Sequence, residues 1–229
     1  MEIKFHGQSC FELSDGEKTV LTDPFLKPNN PVAVATADEV KADVIAVSHG
    51  HIDHIADAIP VSKATGAHVV AMFEVANWLN ANGAEQVSDP NLGGTVPFDW
   101  GWIKLVPAWH TNAIAGENGV VVGTCAGLVI NIGGLTVYHA GDTCLFGDMK
   151  LIAERNPPDV FLLPIGGHYT MDRHDAVVAT ELVGAATVIP MHYDTFPPIE
   201  TDAEAFKADV EAKTASKVVV LRPGESHTV

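Results

Sequence analysis

Four strong metal-ligand side chains, His49, His51, Asp53 and His54, fall within six consecutive positions of this chain. Imidazole and carboxylate together suit zinc and neighbouring first-row metals. The cluster begins where the apolar run 44–47 ends and a helix-like stretch starts. A strand end suits ligands, because the backbone is held while side chains project past the sheet edge. His49 and His51 are two residues apart and converge only if Gly50 permits a tight turn. Asp53 and His54 start the helix and need not aim at the same point. The spacing therefore favours two ions side by side over one ion taking all four ligands. Ions of this kind make a nucleophile of water at neutral pH, so the cluster points to metal-assisted hydrolysis.

Three more candidates share the same local setting. His110 follows the apolar run 103–109, Asp142 follows 137–141, and His192 follows 188–191. Each polar residue comes just past a strand. The elements that must position them alternate along the chain. Strands are expected at 2–6, 10–13, 18–23, 44–48 and 68–71, with helices over 53–65 (interrupted by Pro60) and 73–82. The stretch 96–138 is nearly all strand, including 102–107, 123–132 and 135–139, with a hairpin at Gly133-Gly134. Helices follow at 148–155, 175–184 and 202–214, alternating with strands at 160–164, 186–190 and 217–221. This order predicts two sheets packed face to face with helices outside, in one domain spanning 1–229.

The composition narrows the partners. The chain has 229 residues, 47% of them hydrophobic, enough for one large core. The most apolar stretch, 119–132, is broken by Gly123, Thr124, Gly127 and Asn131, so no membrane helix is expected. The alternating start at Glu2, Lys4 and His6 reads as a strand and not as a secretory leader, which makes the cytoplasm the expected location. Cys10, Cys125 and Cys144 are an odd, scattered set, read as buried thiols with no disulfide framework. A net charge of −16 with no basic run argues against nucleic acid. It does not exclude an anionic small molecule, because bound metals make a pocket locally positive.

The motif His49-x-His51-x-Asp53-His54, followed in order by His110, Gly141-Asp142-Thr143 and His192, resembles the metallo-β-lactamase superfamily over the whole chain. The segments Leu21-Thr-Asp-Pro-Phe25, Pro164-Ile-Gly-Gly-His-Tyr-Thr-Met171 and Met191-His-Tyr-Asp-Thr-Phe-Pro197 resemble a group of prokaryotic metal-dependent hydrolases related to the ascorbate-6-phosphate lactonase branch. The resemblance implies a four-layer αββα sandwich of two mixed β-sheets with the metals at one edge. By motif position, His49, His51 and His110 would hold one ion. Asp53, His54 and His192 would hold the other, and Asp142 would bridge them. Asp23 matches an aspartate that orients a ligand loop from behind. Zinc is the expected divalent ion, with manganese, iron and nickel accepted by the same donors, and such folds often form homo-oligomers.

Two divalent ions, two aspartates and a bridging hydroxide leave about +1 at the site, which would attract an anionic ester, phosphoester or lactone. Asp53 and Asp142 would then serve catalysis as well as binding. Beside the cluster, His168 either protonates a leaving group and binds substrate or is a loop histidine. His6 and Tyr193 either line the pocket or pack in the core. His139, inside an apolar strand, is expected to be a core or supporting histidine. The leading function is a dinuclear hydrolase of small esters or lactones. A phosphodiesterase, an iron-dependent redox enzyme on the same scaffold, and a metal-loaded binding module are the alternatives.

Overall fold

The computed structural model describes residues 1–116 and 119–229. Glu117 and Asn118, inside the expected strand-rich stretch 96–138, lie outside the described residues. The first part runs β1 (Glu2–Gly7), β2 (Cys10–Ser14), β3 (Thr19–Thr22), β4 (Val44–Val47), α1 (Ile52–Ile55), α2 (Ala58–Thr65), β5 (His68–Ala71), α3 (Phe73–Ala81) and β6 (Val87–Ser88). Six strands follow: β7 (Thr95–Phe98), β8 (Gly101–Pro107), β9 (Ala113–Gly116), β10 (Gly119–Val122), β11 (Ala126–Ile132) and β12 (Leu135–His139). The last part comprises α4 (Met149–Arg155), β13 (Val160–Pro164), α5 (Arg173–Val183), β14 (Thr187–Met191), α6 (Ala203–Lys213), β15 (Lys217–Val218) and β16 (Ser226–Thr228).

Two seven-stranded sheets form, ordered β16-β1-β2-β3-β4-β5-β6 and β15-β14-β13-β12-β11-β8-β7. Both are mixed in the same way. One side of each is antiparallel (β16 to β3, and β7 to β12). The other side is parallel (β3 to β6, and β12 to β15). The period-2 alternation of strand side chains divides the apolar residues between two layers. Leu128, Ile130, Val137 and Leu162 face the first sheet and share a core with Phe11, Leu13, Ile45 and Val69. Val129, Tyr138, Phe161 and Leu163 point the other way, onto Met149, Val177 and Phe206 of the covering helices. Helices α2 and α3 close the first sheet through Val61, Val75 and Leu79. The result is the expected four-layer αββα sandwich.

Three local expectations need correction. The 53–65 helix is two helices, because Asp57 leaves helical geometry to accept hydrogen bonds from Leu26 N and Asn29 Nδ2. Pro60 then falls in the first turn of α2, where its missing N–H is no loss. The 123–132 strand begins only at Ala126, since Gly119–Val122 pairs with Ala113–Gly116 as a separate hairpin. Cys10 and Cys125 are buried, but Cys144 is exposed. Among the described residues, no helix is long and apolar enough to cross a membrane.

Candidate metal centre

The C-terminal ends of β4, β8, β12 and β14 meet along one edge of the sandwich, where Ala126 N donates to Ser48 O and joins the two sheets. All seven expected ligands emerge there. His49 Nε2 and His110 Nε2 lie 3.0 Å and 3.3 Å from His51 Nδ1. Asp53 Oδ2 is 3.5 Å from both His54 Nε2 and His192 Nε2. Asp142 Oδ2 sits between the two groups, 3.0 Å from His192 Nε2, 3.4 Å from His54, 3.6 Å from His110 and 4.0 Å from His49. Three overlapping triads, His49–His51–His110, His49–His54–Asp142 and Asp53–His54–His192, each bring their ligand atoms within 4.8 Å of one another.

These spacings fit a metal. Donors about 2.0–2.2 Å from a tetrahedral ion stand about 3.3–3.6 Å apart along each edge. The donor chemistry agrees, because His54 Nε2, His192 Nε2 and Asp142 Oδ1 are buried without a hydrogen-bond partner. Each such atom costs about 1–3 kcal/mol unless something satisfies it, and a shared cation would do so.

A second tier fixes the ring orientations. Asp23 Oδ1 accepts from Ser48 N at 2.7 Å, and Oδ2 accepts from Ser48 Oγ at 2.6 Å and from His54 Nδ1 at 2.8 Å. With its hydroxyl proton given to Asp23, Ser48 Oγ accepts from His49 Nδ1 at 3.0 Å. One buried carboxylate therefore sets the tautomer of two ligands and leaves both Nε2 lone pairs facing the cluster. Asn112 Oδ1 accepts from Gly50 N at 2.7 Å and pins the turn between His49 and His51. Gly50 matters there for space: an added Cβ would collide with Ile114 and Asn112. Buried His139 donates from Nε2 to Ser9 O and accepts on Nδ1 from Gly141 N, which holds the approach to Asp142. Gln8 Nε2 donates to Asp53 Oδ2 at 2.8 Å, and Gln8 O accepts from His192 N.

Gln8, Asp23 and His192 all have positive φ (56°, 37° and 55°), a strained region for non-glycine residues that concentrates at functional sites. Of the supporting residues, Gln8, Ser48 and Asn112 were not expected from sequence. Ser48 had one visible signal, its place directly before His49. Gln8 and Asn112 had none.

The charges are strongly coupled. Burial opposes the Asp142 carboxylate, but His192 and His54 hold its pKa well below the usual range. Asp53 is likewise lowered against its burial, chiefly by His54 and His192. Burial also disfavours the His54 cation, yet Asp142, Asp53 and Asp23 raise its pKa well above the ordinary value. The same contest, fought by Asp142 and Asp53, pushes His192 up to about 9. Burial, seconded by His54, drives His49 well below the usual histidine range, and burial also lowers His51 and His110.

Over the cluster lies a cavity of 480 Å³ lined by His51, Asp53, His110, Asp142 and His192 together with Gln8, Phe25, Ile52, Thr111, Tyr169 and Phe196. His168 is exposed and stacks edge-on against Tyr169, the residue of that loop that reaches the cavity wall. His6 is fully buried, with Nε2 2.6 Å from Glu12 Oε2. Tyr193 lines a neighbouring cavity on the far side of Gln8.

An αββα sandwich with this histidine and aspartate cluster at its sheet edge defines a metal-dependent hydrolase of the metallo-β-lactamase type. The chain belongs to the β-lactamase superfamily, whose domain model matches residues 2–192. It is 46% identical over 228 residues to a protein of Pelotomaculum thermopropionicum named UPF0173 metal-dependent hydrolase, the match covering 99% of each chain. A protein of the same description from Methanopyrus kandleri is 45% identical over 229 residues, again with 99% of each chain covered. Among solved structures, Igni18, a metallo hydrolase from the archaeon Ignicoccus hospitalis, superposes with a TM-score of 0.87 at 37% identity, covering 99% of this chain and 97% of that one.

Proposed function

We propose that the chain hydrolyses a small ester or lactone with two divalent ions, zinc being the ion its nitrogen-rich donor set suits best. His49, His51 and His110 would hold one ion, and Asp53, His54 and His192 the other, with Asp142 touching both. The observation that carries this reading is the position of Asp142 Oδ2, within 3.0–4.0 Å of imidazole nitrogens from both groups. When bound, such ions lower the pKa of water from about 15.7 towards about 7 and polarise the scissile bond.

The chain's own residues do the rest. Asp23 keeps the His49 and His54 lone pairs aimed inward. Gln8 holds Asp53 by its Oδ2, which fixes that carboxylate against rotation. The test is a panel of lactones, carboxylic esters, thioesters and phosphodiesters offered to metal-reconstituted protein. Turnover of esters or lactones that disappears on chelation and in Asp142→Ala supports the proposal. Exclusive turnover of phosphodiesters, or full activity and metal content in Asp142→Ala, contradicts it.

A further inference from the structure

The cavity over the cluster is poorly suited to an anion. Apart from the ligands themselves, its walls are Gln8, Phe25, Ile52, Thr111, Tyr169 and Phe196, with no lysine or arginine among them. The Phe25 and Phe196 rings lie 6.4 Å apart at 43° and make one apolar side. Ile52 stands between the ligands His51 and Asp53 and is 72% exposed, a large apolar side chain held in water at the centre of the site. On its other side lies a second cavity of 470 Å³, which shares His51, Ile52 and Asp53 and is walled by Ile55, Trp78 and Ile114. That cavity also lacks a lysine or arginine. Ile52 is thus a ridge between two apolar basins that meet at the same pair of ligands.

An anionic substituent in either basin would lose hydration against aromatic and aliphatic walls with no side-chain cation to compensate. An apolar substituent would cover Ile52 and be stabilised by doing so. We infer that the substrate is an uncharged carboxylic ester, open-chain or cyclic, carrying apolar groups on both sides of its scissile bond. One group would occupy the Phe25–Phe196 basin and the other the Trp78–Ile114 basin. This narrows the hydrolase reading above and rests on it. It also replaces the anionic substrate expected from the charge of the ions alone, because no wall residue outside the metal ligands carries a positive charge.

The experiment measures binding of hydroxamic acids, whose head group seeks metal, to the metal-loaded protein by calorimetry. One series lengthens the acyl chain from acetohydroxamate to octanohydroxamate. A second keeps the acetyl group and lengthens an alkyl chain on nitrogen. Each added methylene should tighten binding by up to about fourfold until its basin is full. Phe196→Ser should flatten one series and Trp78→Ser the other. Ile52→Ser, at an exposed position where the fold is not at risk, should weaken both. Flat series, or tighter binding of chains ending in a carboxylate than of alkyl chains of equal length, would overturn the inference. Turnover of alkyl esters is followed in parallel. If both series slope but no ester is hydrolysed, the hydrolase reading fails while the apolar basins stand. If esters turn over but the series are flat, the inference fails alone.

Discussion

Replacing Asp23 by asparagine changes one atom that no metal would touch, yet it should disable two ligands together. If the asparagine oxygen keeps the bond from Ser48 N, its amide nitrogen replaces Oδ2, which faces both Ser48 Oγ and His54 Nδ1. His54 Nδ1 must then become an acceptor, which moves the ring proton to Nε2 and caps the lone pair aimed at the cluster. Ser48 Oγ accepts from the new amide and turns its proton towards His49 Nδ1, with the same consequence for His49. Loss of one outer partner typically weakens metal binding about 10- to 100-fold. With two ligands affected, the expected loss is roughly 100-fold, or about 2.7 kcal/mol. Ser48→Ala is the internal comparison: it breaks only the path to His49 and leaves the Asp23–His54 bond, so roughly tenfold is expected. Competitive chelator titration of zinc measures both, with thermal unfolding as the check on the fold. Native affinity in folded Asp23→Asn, or an equal loss in the two variants, would refute the reasoning.

Other outcomes follow from the same geometry. Metal must displace protons from His54 and His192, so affinity should rise with pH through about 9, the His192 value. Chelator-treated protein should show the opposite trend. The raised His192 pKa gives stability that is full below about 6.5, the unfolded value, and lost as pH rises through about 9, seen as a falling unfolding temperature. Gln8→Leu removes the donor to Asp53 Oδ2 and should weaken the Asp53–His54–His192 site about tenfold. The His49–His51–His110 site should be spared, so a two-site metal titration that loses both equally would count against this role. Gly50→Ala forces its Cβ against Ile114 and Asn112 and should destabilise the fold by about 1–3 kcal/mol, read by denaturant unfolding.

The sheet plan was largely legible because apolar runs and turn residues mark strands directly. The buried run Val160–Pro164 and the hairpin at Gly133-Gly134 fall where the pattern puts them. The break at Asp57 was not legible, since it depends on Leu26 and Asn29, about thirty residues away in the chain. The cluster followed from one local rule, a ligand-type residue just past an apolar strand, which His49, His110, Asp142 and His192 all obey. The residues that orient them do not follow such a rule. Gln8 reaches Asp53 across 45 positions and Asn112 reaches Gly50 across 62, and neither residue type announces the contact. Tyr169, and not its neighbour His168, reaches the cavity wall, because side-chain direction in an irregular loop has no period to read.

Anomalous diffraction at the metal absorption edge from crystals of the metal-loaded protein would test the central claim most directly. Two peaks are predicted, one enclosed by His49, His51 and His110 and one by Asp53, His54 and His192, with Asp142 Oδ2 between them. A single peak, or density away from these seven residues, would contradict it.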